Sequence, residues 1–350
     1  MKYSAIPTAQ SIVLHCQAKN ISNIIISPGS RNAPLTIAFA ENPFFKCFSI
    51  VDERSAAFFA LGMAQQLQEP VVVLCTSGSA LLNYYPAVAE AFYSNIPLIV
   101  ISADRPEYKL GIGDGQTIDQ RNVFQNHIGY SANLKQDVSH ATSKVLQYKP
   151  EWVSEKSVED VQIEVQIYND QELNRAIEMA LTTNGPVHIN APFEEPLYET
   201  LSEPTISPEI NDIPVEVVTS IDLEEHRNIW NTATKKMVLV GVNTPNVIDK
   251  KVLEYLANDP SVLVLTETTS NIHHPNFFNS IDSLIAPLEM QFDNDALFEK
   301  LKPDVLITFG GLIVSKKVKA FLRNHKPNHH WHIGGHTANN TFFCLNENLK

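Results

Sequence analysis

Four short stretches of this sequence set small, hydroxylated and charged residues directly behind apolar runs: Ser27-Pro28-Gly29-Ser30-Arg31, Asp52-Glu53-Arg54, Thr76-Ser77-Gly78-Ser79 and Ala103-Asp104-Arg105-Pro106. Residues of these types can hold an anion or the polar edge of a ring. Gly29 and Gly78 let backbone approach a ligand closely, and the hydroxyls beside them donate to anions. Arg31 and Arg105 carry planar forks matched to carboxylates. Glu53 can hold or share a proton when an apolar cleft desolvates it. Each stretch also has a plain structural reading. Ser-Pro-Gly-Ser makes a turn, Ser30 or Ser77 caps a helix, the helix dipole favours Glu53 at a helix start, and Arg54 pairs or is solvated. One such stretch means little, but four that end neighbouring strands share one rim.

The elements that must position them alternate. Apolar, β-branched runs at 23–27 (NIIIS), 46–51 (KCFSIV), 71–76 (VVVLCT), 97–102 (PLIVIS) and 187–190 (VHIN) predict strands. Helical spacing of apolar residues predicts helices over 32–40, 53–66 and 78–93. Strands without polar alternation are buried on both faces, as in a parallel sheet covered by helices, and ligands of such sheets gather at the strands' C-terminal ends. From 194 to 219 the chain is polar and acidic, and Pro196, Pro204, Pro208 and Pro214 deny it a helix, which predicts a linker. Residues 220–350 then repeat the alternation. Helices are expected near 223–232, 247–257, 295–301 and 316–323, and strands at 237–241, 262–266, 305–309 and 330–333. The fold expected is α/β, with two doubly wound parallel-sheet domains over 1–193 and 220–350, the second smaller.

A length of 350 residues suits two domains, and 44% hydrophobic with 19% charged residues excludes a disordered chain. The net charge of −13 repels phosphate backbones, so no nucleic-acid partner is expected, and an anionic ligand needs locally placed Arg and Lys. No stretch reaches the roughly 18 apolar residues of a membrane helix, so no membrane insertion is expected. The N-terminal MKYSAIPTAQ lacks a signal peptide's apolar core. Cys16, Cys47, Cys75 and Cys344 form no CxxC pair, which fits a reduced, cytoplasmic protein. Gly111-Ile112-Gly113-Asp114-Gly115 has the wrong spacing for a dinucleotide fingerprint and follows no strand. His325, His329, His330, His332 and His336 match no metal-ligand spacing and read as an exposed polar strand face, and His273-His274 as a loop. No metal site is expected in this chain.

Five segments carry a resemblance: SPGSRNAPLTIAF (27–39), VDERSAAFFALGMA (51–64), CTSGSALLNYYPAVAEA (75–91), PLIVISADRP (97–106) and GDGQTIDQ (113–120). Together they resemble the N-terminal half of the MenD family, the thiamine diphosphate-dependent 2-succinyl-5-enolpyruvyl-6-hydroxy-3-cyclohexene-1-carboxylate synthases of menaquinone biosynthesis. The resemblance is dense from about residue 5 to 130 and thinner beyond. It implies a pyrimidine-binding (PYR) domain followed by a middle (TH3-like) domain. In the family a third domain then holds the diphosphate through Mg2+. Its signature, a Gly-Asp-Gly with a downstream Asn, is not met: Gly113-Asp114-Gly115 lies in the wrong domain, and 139–145 holds no Asn. The chain is therefore expected to lack that domain, as a fragment, a truncated form or one part of a naturally split protein.

By this resemblance Glu53 is the cofactor-activating glutamate. Its carboxyl on the pyrimidine nitrogen favours the imino tautomer that removes the thiazolium proton. Pro28, Thr76, Ser77 and Gly78 are implied to face the cofactor, and Ser30, Arg31, Arg105 and Gln116 the substrate pocket. Lys316 and Lys317 stand where the family has a Lys-Arg pair, and Lys317 keeps only a point charge there. The implied reaction decarboxylates 2-oxoglutarate and adds the succinyl unit to isochorismate, releasing CO2, in a homodimer or higher homo-oligomer whose active site forms between chains. This chain alone is expected to be inactive and to bind thiamine diphosphate and Mg2+ weakly or not at all. The alternatives are another decarboxylating thiamine enzyme, acetolactate synthase-like or acyl-CoA lyase-like, and a non-catalytic binding or assembly module of the same fold. An NAD-dependent oxidoreductase is disfavoured by the missing glycine fingerprint.

Overall fold

Short apolar runs without polar alternation become the spines of two parallel sheets in the computed structural model, which describes residues 2–214, 221–335 and 338–350. The chain divides into two compact units, Met1–Val215 and Glu216–Lys350.

The first unit runs β1 (Tyr3–Ser4), α1 (Pro7–Ala18), β2 (Asn23–Ile26), α2 (Ala33–Ala40), β3 (Lys46–Ser49), α3 (Glu53–Leu67), β4 (Val71–Cys75), α4 (Ser79–Leu82) and α5 (Tyr85–Ser94). It continues with β5 (Leu98–Asp104), β6 (Tyr130–Asn133), α6 (Thr142–Tyr148), α7 (Val158–Thr183), β7 (Val187–Pro192) and β8 (Thr200–Leu201). Six strands pair in parallel in the order β3-β2-β4-β5-β7-β6, with Ile24 beside both Cys47 and Val72. Strands β2, β4 and β5 are buried along their whole length. Alternate side chains go to opposite faces, so Ile24, Ile26, Val72 and Leu74 pack with Ile12, Phe39 and Ile177 from α1, α2 and α7. Ile25, Val71 and Val73 pack instead with Ala57, Ala60 and Val88 from α3 and α5.

Three differences from expectation have physical causes. The single helix expected over 78–93 is two, α4 and α5, because Pro86 starts a helix rather than continuing one. The 26-residue α7 is announced only by its Ser157 cap, whose hydroxyl accepts from the Asp160 N–H; its sequence is too polar to stand out as apolar periodicity. The stretch expected as a linker from 194 is bound to the first unit, which therefore extends past 193. Strand β8 pairs antiparallel with β1, the Thr205 N–H donates to Gln10 Oε1 at 2.8 Å, and the Glu209 N–H to Asp170 Oδ2 at 3.0 Å. Side-chain acceptors thus satisfy backbone that prolines exclude from a helix. Linker residues 215–219 lie outside the described residues.

The second unit runs α8 (Glu224–Thr232), β9 (Lys236–Val240), α9 (Lys250–Asn258), β10 (Val262–Leu265), α10 (Ile281–Glu289), α11 (Asn294–Leu301), β11 (Val305–Phe309), α12 (Lys316–Asn324), β12 (His329–Ile333) and β13 (Glu347–Leu349). Its parallel sheet has the order β10-β9-β11-β12-β13. The fold class is thus α/β with two doubly wound parallel sheets, and among the described residues no helix is long and apolar enough to cross a membrane.

The histidines of β12 correct the reading of an exposed polar face. His330 is 1% exposed, covered by Phe342, and its Nε2 lies 3.0 Å from Thr308 Oγ1 on β11; His332 Nδ1 meets the same hydroxyl at 3.0 Å. His325 is buried against Glu299, at 2.9 Å. His336 lies outside the described residues.

Burial, with a smaller push from His332, pulls His330 from its ordinary 6.5 down to about 4. Between those values the unfolded chain binds the proton and the folded chain does not, so stability falls as pH falls from about 6.5 to about 4. The full effect is about 3 kcal/mol. Urea unfolding across this window should show a shallower pH slope for His330→Gln than for the parent; equal slopes would refute the assignment.

Candidate functional site

In the first sheet the chain turns from β2 to β3 on one side and returns to β4 on the other. The crevice outside the ends of β2 and β4 is the switch point at which such folds hold ligands. The two loops there touch. A Cβ on Gly29 would stand 2.4 Å from Thr76 Cβ, so nothing larger than glycine fits. Thr76, Ser77 and Gly78 are buried, whereas Pro28 and Ser30 are exposed. Gly78 sits at φ +85°, in the region glycine favours, and a Cβ there would meet the Gln116 carbonyl oxygen at 2.8 Å. Beneath the loops the Tyr84 hydroxyl donates to Ser27 Oγ at 3.0 Å, and Asn32 Nδ2 donates to the Ser27 carbonyl at 3.0 Å.

Glu53 is the first residue of α3, behind Asp52, whose carboxylate accepts from the Ser55 N–H at 2.8 Å. That bond holds the Asp52 carboxyl below the usual carboxylate range. Glu53 faces the end of β4. Its charge adds to burial in raising the pKa of the Cys75 thiol and of the Tyr84 phenol, so the carboxylate lies within electrostatic reach of both buried groups. The enclosed apolar setting expected for Glu53 is only partly supplied by this chain, in which its side chain is half-buried.

The arginines are already engaged. Arg31 is buried, donating from Nη1 to the Phe193 carbonyl at 2.9 Å and from Nη2 to Glu195 Oε1 at 3.0 Å, so its fork holds a carboxylate of its own chain. Burial, and next the nearby Arg105 charge, pull its pKa below the ordinary arginine value. Arg105 Nη2 donates to the Gly115 carbonyl at 2.7 Å, and Asp114 stands 3.7 Å from its Nε. The loop from Gly111 to Gln120 thus folds back over Gly78, with the Gln116 side chain exposed and its carbonyl against Gly78. Beyond Arg105 a cavity of about 390 Å³ opens at the ends of β5, β6 and β7, floored by Asp104 and Asn190 and walled by Leu134, Lys135 and Trp152.

A group the sequence reading passed over binds these loops together. Gln120, fully buried, accepts the Gly78 N–H on Oε1 at 2.7 Å and donates from Nε2 to Asn190 Oδ1 at 2.8 Å. The Ser102 hydroxyl also donates to Asn190 Oδ1, at 2.9 Å, so the neutral His188, held down to about 3 by burial, is left to donate to Ser102 Oγ at 2.8 Å. Asn190 Nδ2 donates to Asp104 Oδ2 at 2.8 Å, and the Arg105 N–H to Asp104 Oδ1 at 2.7 Å. Gln120 ends the GDGQTIDQ stretch, but partners 42 and 70 residues away carry no local signal.

Pro28, Ser30, Arg31, Glu53, Thr76, Ser77, Gly78, Arg105 and Gln116 all lie in the first unit, on loops or helix starts that follow strands. Lys316 and Lys317 belong to the second. There they open α12, with Lys316 exposed and the Lys317 ammonium paired with Glu289. The same helix start is capped by Glu267, which accepts the Val314 N–H at 2.8 Å and the Ser315 N–H at 2.6 Å. Among the described residues no group of three or more His, Cys, Asp or Glu could hold a metal ion.

Comparison with known proteins identifies relatives of this chain. Residues 6–132 match the family described as "Thiamine pyrophosphate enzyme, N-terminal TPP binding domain". The chain is 54% identical to the 2-succinyl-5-enolpyruvyl-6-hydroxy-3-cyclohexene-1-carboxylate synthase of Christiangramia forsetii, over 99% of this chain and 59% of the relative. It is 56% identical to the synthase of the same name from Flavobacterium johnsoniae, over 100% of this chain and 58% of the relative. With that of Flavobacterium psychrophilum it shares 51% identity, again over 58% of the relative. The chain thus spans less than two thirds of the length of the curated relatives it matches.

The contact at Gly29 is testable without any ligand. Gly29→Ala should destabilise the first unit by about 1–3 kcal/mol, the usual cost of overpacking. Thr76→Gly added to it should restore part of that loss in urea titrations. An unchanged midpoint for Gly29→Ala would mean that the two loops do not touch.

Proposed function

We propose that this chain, which belongs to the family of 2-succinyl-5-enolpyruvyl-6-hydroxy-3-cyclohexene-1-carboxylate synthases, forms the pyrimidine-binding and middle portions of such an enzyme. The observation that carries the reading is the set of neighbours at one switch point: a glutamate opening α3, facing the end of β4, beside the buried backbone of Thr76, Ser77 and Gly78. These residues suit a flat, polar-edged ring. Gly29 and Gly78 admit no Cβ, Glu53 offers a carboxyl to a ring nitrogen, and the pressed loops form a wall.

Thiamine diphosphate, when bound, supplies the electron sink for decarboxylating a 2-oxo acid. The work of this chain is to hold and move a proton at Glu53, whose carboxyl donates to a ring nitrogen in one state and accepts from it in the next. Pro28, Thr76, Ser77 and Gly78 fix the ring's position, and Ser30, Arg31, Arg105 and Gln116 meet the carboxylates of 2-oxoglutarate and isochorismate. Arg31 must exchange Glu195 for a substrate carboxylate to do so, while Arg105 must loosen from the Gly115 carbonyl and from Asp114. We assign Mg2+ and the diphosphate to the part of such a protein that the relatives have beyond the region matched here.

Exposed apolar side chains of the first unit support a homodimer. Val51, Phe58, Phe59 and Tyr93 are 77%, 44%, 45% and 58% exposed, apolar surface of the kind a second copy covers. A reduced, cytoplasmic setting agrees with the four unpaired cysteines. A pyruvate-using thiamine enzyme is the second reading, and the arginine pair favours dicarboxylates over it.

In the intact enzyme, Glu53→Gln should lower turnover of 2-oxoglutarate with isochorismate by about 100-fold or more, the scale of lost acid–base catalysis. Steady-state rates near the parent's would remove Glu53 from the mechanism. Turnover of pyruvate faster than 2-oxoglutarate would favour the second reading.

A further inference from the structure

The buried amide of Gln120 has one possible orientation. The Gly78 N–H can only donate, so Oε1 must face it at 2.7 Å; the Ala103 carbonyl can only accept, so Nε2 must face that at 3.2 Å. With Asn190 at 2.8 Å and Ser102 Oγ at 3.2 Å, one side chain joins the loop after β4 to the ends of β5 and β7. Through Asn190 and Asp104 the same chain of bonds ends at the Arg105 backbone N–H. The loop that faces the cofactor and the loop that carries a substrate arginine are thus set in register by buried amides rather than by their own sequences.

We propose that Gln120 is a positioning residue. It touches neither cofactor nor substrate, but fixes the Gly78 backbone in the conformation that receives the pyrimidine ring, and through Asn190 and Asp104 ties that conformation to Arg105. The proposal rests on the thiamine diphosphate reading of the site. The tie itself stands on geometry within this chain. Gly78 at φ +85° has no side chain to hold it, and its N–H finds its partner in Gln120.

The test has two parts. In this chain, amide hydrogen exchange at Gly78 should quicken about tenfold in Gln120→Ala, the loss expected for one buried hydrogen bond. Gln120→Met, which keeps the volume, serves if the alanine variant does not fold. Asn174→Ala, which removes another buried, multiply bonded amide far along the chain, should lower stability and leave Gly78 exchange unchanged. In the intact enzyme, the Gln120 variants should raise KM for thiamine diphosphate about tenfold with kcat within about twofold of the parent. Unchanged Gly78 exchange, or an equal KM rise in Asn174→Ala, would overturn the positioning role. An intact parent enzyme whose turnover does not depend on thiamine diphosphate would instead overturn the functional reading, while the exchange result would still decide the tie to Gly78.

Discussion

Close contact between the Gly29 backbone and the Thr76 side chain, in two loops at the β2–β4 switch point, governs the first unit. Gly29 lies so close to Thr76 that a single methyl group would collide, so the chain leaving β2 and the chain leaving β4 form one wall. Such closeness is possible because β2 and β4 are hydrogen-bonded neighbours buried on both faces. The wall is then fastened from below by the Ser27 and Tyr84 hydroxyls and from the side by Gln120. Glu53 is brought to it by the next crossover, since α3 begins where the chain has just left β3.

Electrostatics follows the same economy. In a protein of net charge −13, the cations that could meet an anionic ligand are held by partners within the chain: Arg31 by Glu195, Arg105 by the Gly115 carbonyl. An arginine kept in place this way stays oriented near a rim without lying free on an acidic surface. The partners differ in grip, because Arg31 is the more buried and holds its carboxylate at 3.0 Å, whereas the Asp114 carboxylate stands 3.7 Å from Arg105. Exchange of partners is therefore easier at Arg105.

The second unit uses the same architecture differently. At its own switch point, between β9 and β11, a Cβ on Gly241 would stand 2.1 Å from the Gly311 carbonyl oxygen, and the Glu267 carboxylate accepts the backbone N–H groups before α12. The place where a parallel sheet offers backbone donors to an anion is filled by the protein's own anion. Lys317 paired with Glu289 extends this pattern of internal neutralisation.

How much was legible divides along the range of the interactions. Local signals set the strands: unbroken β-branched runs at 23–27, 71–76 and 97–102 fall on β2, β4 and β5, and their lack of polar alternation already implied burial on both faces. The motif residues after those strands, and Glu53 after β3, were placed on one rim by the same reading, because a parallel sheet puts every such loop there. Helix α7 escaped because its polar face outweighs its apolar stripe, and the segment after 193 looked like a free linker because its partners, Gln10, Asp170 and Asn174, lie far away in sequence. His330 was misread for the same reason, since what buries it is Thr308 from the neighbouring strand and Phe342. The residue types and their order were enough to place five of the six strands of the first parallel sheet and four of the five of the second, missing β6 and β13. Which side chains are spent on one another, Arg31 on Glu195 and Gln120 on Gly78, was decided by tertiary structure alone, because a hydrogen bond between residues dozens of positions apart depends on how the strands pair and not on any local preference.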